Sequence, residues 1–196
     1  DFRGFEVPYT ELEEKWRAFN YVFLVVYPIE EANDVLNVLG PLATDETANR
    51  IAYNRAVSEA TSLPDIRERF FAWFNAGTSA VYLQDYVTAA AHYDTAFNLY
   101  PEIPEDDRPW RMMWYQTGPY FAYYYSDRYA DVIELADQTL KVMSEPILEE
   151  TYYWRALAYY ALGDTDKAIA DLRESVKHHP GFAPGIAMLY QLGETP

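Results

Sequence analysis

WFNAGTSAVYLQDYVTAAAHYDTAFNLYP, residues 73–101, is the stretch whose reading decides the fold. Its Trp73, Gly77, Tyr86, Ala89, Tyr93, Ala96 and Pro101 fall at intervals that return, altered, further along the chain. Around it, residues 29–193 are helical in pattern. Turn signals stand at Gly40-Pro41, Leu63-Pro64, Pro101 to Pro109, Ser126-Asp127, Glu145-Pro146, Gly163-Asp164 and Pro180-Gly181. The segments between them are about one helix long, which predicts roughly seven or eight antiparallel helices of about 11–19 residues in a repeating array.

The stretch resembles the tetratricopeptide repeat, W-x2-L-G-x2-Y, then A-x3-F, then a later Ala and Pro, over about 34 residues. Gly77 and Ala89 take the places where two helices of a hairpin approach closely, so a larger side chain would push the backbones apart. Trp73, Tyr86 and Tyr93 fill the remaining volume, and Pro101 ends the second helix. Ala76 and Ala80 depart from the Leu and Tyr of the pattern.

A second copy starts at Trp114, with Gly118, Tyr129, Val132, Ala136 and Thr139 as landmarks, but Gly118 to Tyr129 is two residues longer than Gly77 to Tyr86. Pro119 should kink its first helix unless it lies in the first turn. The third copy, from Thr151, keeps Ala156, Tyr159, Gly163, Ala168 and Pro180, with Ser175 at a small position; FAPGIAMLYQLG then reads as a capping helix. The fold the resemblance implies is all-α: a right-handed superhelix of antiparallel helix hairpins over residues 65–196, with residues 29–64 a helical linker or degenerate repeat in which Ala52, Ala56 and Pro64 repeat the spacing of Ala89, Tyr93 and Pro101.

The front of the chain reads differently. YTELEEKWRAFN, residues 9–20, has Leu12, Trp16 and Phe19 at helical spacing behind a Thr10/Glu13 capping box. YVFLVVY, residues 21–27, has no polar alternation and predicts a strand buried on both faces, ended by Pro28. Val7, Pro8, Tyr9, Leu12, Trp16, Asn20 and this apolar run resemble the end of a papain-like peptidase domain of the kind that processes double-glycine leader peptides. The resemblance implies that residues 1–28 are the remnant of a peptidase or pseudo-peptidase domain in a longer parent, whose triad Cys this chain lacks. The start at Asp1, with neither Met nor a signal-peptide pattern, fits such a piece. An unpaired Tyr21–Tyr27 strand would pair with a second copy to form a homodimer, or be covered from within.

Composition narrows the chemistry. The 196 residues are 50% hydrophobic and include 19 Tyr, yet the formal charge is −16. An acidic surface without a Lys/Arg cluster repels phosphate backbones, so nucleic acid is excluded as the expected partner. The absence of Cys removes thiol chemistry and disulfides, and no apolar run approaches the roughly 18 residues of a membrane span. His178 and His179 precede Pro180 at a helix end, where a cation suits the dipole, and His92 reads as a surface residue without metal-ligand spacing. EIPEDDRP, residues 102–109, lacks the ligand spacing of a calcium loop and reads as a solvated connector. No motif calls for a metal or cofactor, and no catalytic residues are assigned.

What remains is the face lined by the first helices of successive repeats. Phe74, Tyr115 and Tyr153 stand at matching places, with Thr78, Tyr82, Tyr123 and Tyr160 further along. They serve either as packing between repeats or as an aromatic ladder for an extended peptide. The expected function is a non-catalytic protein- or peptide-binding module for a basic or aromatic partner, beside a peptidase domain in its parent. Hydrolase chemistry on the groove face and pure self-association are the alternatives. The Lys, Arg and Asn of a carboxylate clamp are missing from these positions.

Overall fold

Three aspartates and one threonine set the starts of four long helices. In the computed structural model, which describes residues 6–109, 112–142 and 148–196 (of Tyr115, the backbone alone), the side chains of Thr44, Asp65, Asp85 and Asp164 each accept a backbone N–H three residues on. Each thereby satisfies a donor that the first helical turn leaves without a partner. The helices are α1 (Tyr9–Arg17), α2 (Ala32–Leu39), α3 (Asp45–Ser62), α4 (Ile66–Tyr82), α5 (Tyr86–Leu99), α6 (Met112–Tyr115), α7 (Gly118–Tyr124), α8 (Tyr129–Lys141), α9 (Glu149–Ala161), α10 (Thr165–His178) and α11 (Ala183–Gln191). The chain is all-α, and no strand forms among the described residues. It divides into two compact units, Asp1–Arg108 and Pro109–Pro196.

In the first unit α3 packs along α4, and α4 along α5. Ala56 and Ala60 of α3 are buried, as are Ala72, Ala76 and Ala80 of α4 and Ala89 and Ala96 of α5, so small residues let the backbones approach while Phe70, Phe74 and Tyr93 fill the space. The acidic connector after α5 is pinned rather than merely solvated. Ile103 is buried, Arg108 donates to the carbonyls of Pro101 and Ile103, and Arg67 donates to Asp107 O.

In the second unit α7 packs on α8, α8 on α9, α9 on α10 and α10 on α11. Ala156, Ala168, Leu172 and Leu189 form its core at the capping end. Arg155 lies across this unit, bidentate on Asp171 at 2.7 Å and reaching Asp137 at 2.5 Å. The bonds to Asp171 raise its pKa above the ordinary guanidinium value, against the effect of burial.

One turn geometry closes the first helix of three hairpins. Asp85 N bonds Ala80 O, Arg128 N bonds Tyr123 O and Asp164 N bonds Tyr159 O, each at 2.9 Å. The residue before each donor has positive φ: Gln84 61°, Asp127 58° and Gly163 86°. This is the six-to-one closure of a Schellman end, and it fixes which residues correspond. Eight residues before and after these donors stand Gly77 and Tyr93, Tyr120 and Ala136, Ala156 and Leu172.

The structure therefore corrects the register of the second repeat. Tyr120, not Gly118, takes the place of Gly77, no insertion is needed, and Pro119 lies in the first turn of α7, where its missing N–H costs nothing. Trp114 belongs to the separate short helix α6 and does not correspond to Trp73.

The expected strand is also corrected. Residues 22–27 form neither helix nor strand and are exposed, with Leu24 and Val26 both 87% accessible. A strand requires a neighbour to share its ladder, and no described segment supplies one. The helix before it ends at Arg17, with a tight turn through Phe19, Asn20 and Tyr21 in place of its last residues.

Candidate functional site

The turn after α1 seats itself on α3 and α4. Arg17 Nη1 donates to Glu68 Oε2 at 2.5 Å, Asn75 Nδ2 donates to Arg17 O at 2.6 Å, Asn20 Nδ2 donates to Ser79 Oγ at 3.0 Å, and Tyr21 O–H donates to Glu59 Oε1 at 2.6 Å. Arg55 lies over the Tyr21 ring at 3.7 Å and pairs with Glu13 and Glu59. Burial disfavours the Arg17 charge, but Glu68, Tyr21 and Glu59 more than offset it, and its pKa is raised. Burial, then the bond to Glu59, also raises the Tyr21 phenol.

Beside this seat opens a cavity of about 1090 Å³. Its lining includes Leu12, Trp16, Val22 and Phe23, Leu42 just before α3, Ile51 and Arg55 of α3, and Tyr82, Leu83 and Gln84 at the end of α4 and the turn after it. Leu12, Leu42, Ile51 and Tyr82 are all exposed large hydrophobic residues. Asp45 and Glu46 stand on its rim, with Arg50 paired to Glu46 at 3.0 Å.

Of the groove residues read from sequence, the structure separates those that face solvent from those that do not. Phe74 is 1% exposed and packs edge-on against Tyr93 at 4.9 Å, so it is core and not ligand surface. Thr78 spends its hydroxyl on Phe74 O and Tyr93 O–H. Tyr82 is 69% exposed and lines the cavity. Tyr123 is buried, with Arg128 over its ring at 4.5 Å, which also removes it from the ladder. Tyr153 is half-buried against Trp154 and Phe182, and Tyr160 is exposed. The side chain of Tyr115 lies outside the described residues.

In the second unit Trp154 gathers rings from α7 and its turn. Phe121 lies 4.4 Å away, Tyr124 5.6 Å and Tyr125 6.4 Å between centroids. The histidines are structural. His92 is half-buried, stacked on Trp73 at 5.2 Å and hydrogen-bonded to Tyr53 O–H at 3.0 Å, which corrects its reading as a surface residue. His179 Nδ1 meets Glu149 Oε1 at 2.9 Å, and His178 stacks on Tyr152. Among the described residues no three metal-ligating side chains cluster, and no helix is long and apolar enough to cross a membrane.

The match between α9 and α10 and the pattern of small and large residues decides one region. Residues 149–182 match the tetratricopeptide repeat. The matched region covers α9, its Gly163 turn, α10 and the start of the capping segment, with Ala156, Ala168, Leu172 and Ser175 at its buried positions. No curated protein and no solved structure matches the chain.

The sequence did not show the seat of residues 17–21 or the cavity beside it. The buried polar pair Asn75 and Ser79 was the available signal, since the corresponding places in the other hairpins hold Gly118 and Ala122, and Trp154 and Ala158.

Proposed function

We propose that the chain is a non-catalytic protein-interaction module, and that its cavity in residues 6–108 takes an apolar segment of a partner protein that also carries basic residues. The tetratricopeptide repeat supports protein interaction as the class of function. The observation that carries the finer reading is the open cavity walled by exposed Leu12, Leu42, Ile51 and Tyr82 in a chain of charge −16, with Asp45 and Glu46 at its rim. Apolar walls supply contact area, and the acidic surroundings favour a basic partner and disfavour an acidic one. Titration with an amphipathic Leu/Arg peptide, followed by fluorescence anisotropy, tests it. Ile51→Glu should weaken binding at least tenfold without loss of helix, and affinity should fall as salt rises. Equal affinity of the Ile51→Glu chain, or a preference for a Leu/Glu peptide of the same length, would sink the reading.

A parent that joins this module to a papain-like domain rests on the resemblance of residues 1–28 alone. Self-association is a second reading, favoured by the exposure of Val22, Leu24 and Val26. Light scattering on the full chain distinguishes it, since a constant monomer mass at rising concentration excludes a dimer.

A further inference from the structure

The seat of residues 17–21 has the chemistry of a peptide-recognition cleft. Glu68, Asn75 and Ser79 lie at spacings of seven and four on α4, hence on one face, and α3 adds Arg55 and Glu59. Asn75 and Ser79 are 3% and 0% exposed, and Arg17 and Asn20, distant in sequence, hydrogen-bond them. A helix face made only for packing needs no polar side chain there, and the corresponding places of the other hairpins hold Gly118 and Ala122, and Trp154 and Ala158. Asn75 instead reads a backbone carbonyl, two carboxylates hold a guanidinium, and Glu59 accepts a phenol.

The segment in the cleft fits it incompletely. Arg17 Nε and Glu59 Oε2 are 3.5 Å apart, both buried, and neither makes a hydrogen bond. Asn20 and Tyr21 have φ of 52° and 53°, in the left-handed region that Asn tolerates and that strains the bulkier Tyr21. Beyond them the run from Val22 to Glu30 is exposed at every residue, with Leu24, Val26 and Ile29 almost fully so, and links the segment to α2. Departure of the segment would sacrifice its own hydrogen bonds and relieve its strain.

We propose that the α3/α4 face is a recognition cleft for a segment carrying Arg and, four residues on, Tyr, and that residues 17–21 are an internal occupant which such a segment of a partner protein displaces. This rests on the hydrogen-bonded seat and not on the open cavity, so either reading survives failure of the other. The internal occupant competes at the high effective concentration of a short tether.

The probe is a fluorescent synthetic peptide of residues 9–22, titrated into the full chain and into a full chain carrying Arg17→Ala and Tyr21→Ala. The substituted chain should bind it at least tenfold more tightly than the unaltered chain, and a peptide bearing Arg17→Ala should bind at least tenfold more weakly. A substituted chain that keeps its helical circular dichroism and shows no such gain overturns the proposal. Should the substituted chain unfold, amide exchange of the unaltered chain decides. Amides of residues 20–22 opening at least tenfold faster than those of α4 support a displaceable occupant, and joint opening with α4 refutes it.

Discussion

The hairpins α4/α5 and α7/α8 turn their chains in the same way and fill the space between helices in opposite ways. In α4/α5 the first helix supplies Gly77 and the second Tyr93; a Cβ placed on Gly77 would stand 2.8 Å from the Tyr93 ring. In α7/α8 the first helix supplies Tyr120 and the second Ala136, both fully buried, and the Tyr120 hydroxyl reaches Thr139 and Thr151. The α9/α10 hairpin, with Ala156 and Leu172, is intermediate. What recurs from repeat to repeat is one larger side chain on one helix and one small residue on the other, because a close-packed interface responds to the pair and not to either residue alone.

The comparison breaks most readily at Tyr120. Tyr120→Gly empties a ring-sized space, deprives two buried threonine hydroxyls of a partner and adds a helical glycine, for an expected loss of about 3–5 kcal/mol in urea denaturation. Adding Ala136→Tyr converts this hairpin to the arrangement of α4/α5 and should restore at least half of the loss. A double variant no more stable than Tyr120→Gly would mean that the two hairpins are not interchangeable solutions.

The converse change is milder. Gly77→Ala should cost about 1–3 kcal/mol through overpacking against Tyr93, despite the better helix propensity of alanine. Combined with Tyr93→Leu, which reproduces the Ala156/Leu172 arrangement, the penalty should shrink. Equal penalties with Tyr93 and with Leu at position 93 would show that the Tyr93 ring does not limit the approach.

The all-α class and the third repeat were legible in sequence because each follows from local spacing: Gly163 turns, and Ala156, Ala168 and Ser175 lie at fixed intervals. The Thr10/Glu13 capping box is corrected: α1 starts at Tyr9 behind Pro8 with no side-chain cap, and Glu13 pairs with Arg55 instead. The second repeat was misaligned for a physical reason. Gly118 sits near the expected place, but the small residue of that hairpin is Ala136 on the opposite helix, and a pattern of single positions does not register such an exchange. Tyr21–Tyr27 misled because apolar β-branched composition records a preference for extended backbone, whereas a strand needs a partner. Of the groove residues, Tyr82 is exposed like Tyr125 at the same distance from its turn, whereas Tyr123 takes the buried place of Ala80, and Phe74 corresponds to Thr117 and not to Tyr115; the misaligned second repeat hid these differences.

A third test raises pH. Burial raises the pKa of Tyr93 and of Tyr120, partly offset by their threonine partners. A phenol whose folded pKa lies above its unfolded value of about 10 contributes stability that is complete below that value and is lost as pH rises through the folded pKa. Urea midpoints should therefore fall steadily above pH 10, and Tyr93→Phe and Tyr120→Phe should each flatten the fall. Unchanged slopes in both variants would place the alkaline sensitivity elsewhere.

The smallest expected effect lies between α3, α4 and α5, where Tyr53, Trp73 and His92 meet. Burial lowers the His92 pKa, with Asp85 acting in the opposite direction. Protonation thus favours the unfolded chain. The contribution is complete above the unfolded value of about 6.5 and is lost as pH falls through the folded pKa. The second unit has no counterpart to this group, because the places of Trp73 and His92 hold Gln116 and Leu135 in α7/α8. Ring-proton NMR should show His92 titrating below 6.5, with loss of its contact to Tyr53, and the drop in stability from pH 7.5 to pH 5 should be smaller for His92→Gln. A His92 that titrates at or above 6.5 would mean that the stacked, half-buried ring is solvated in solution, and the pH sensitivity assigned to this interface would disappear with it.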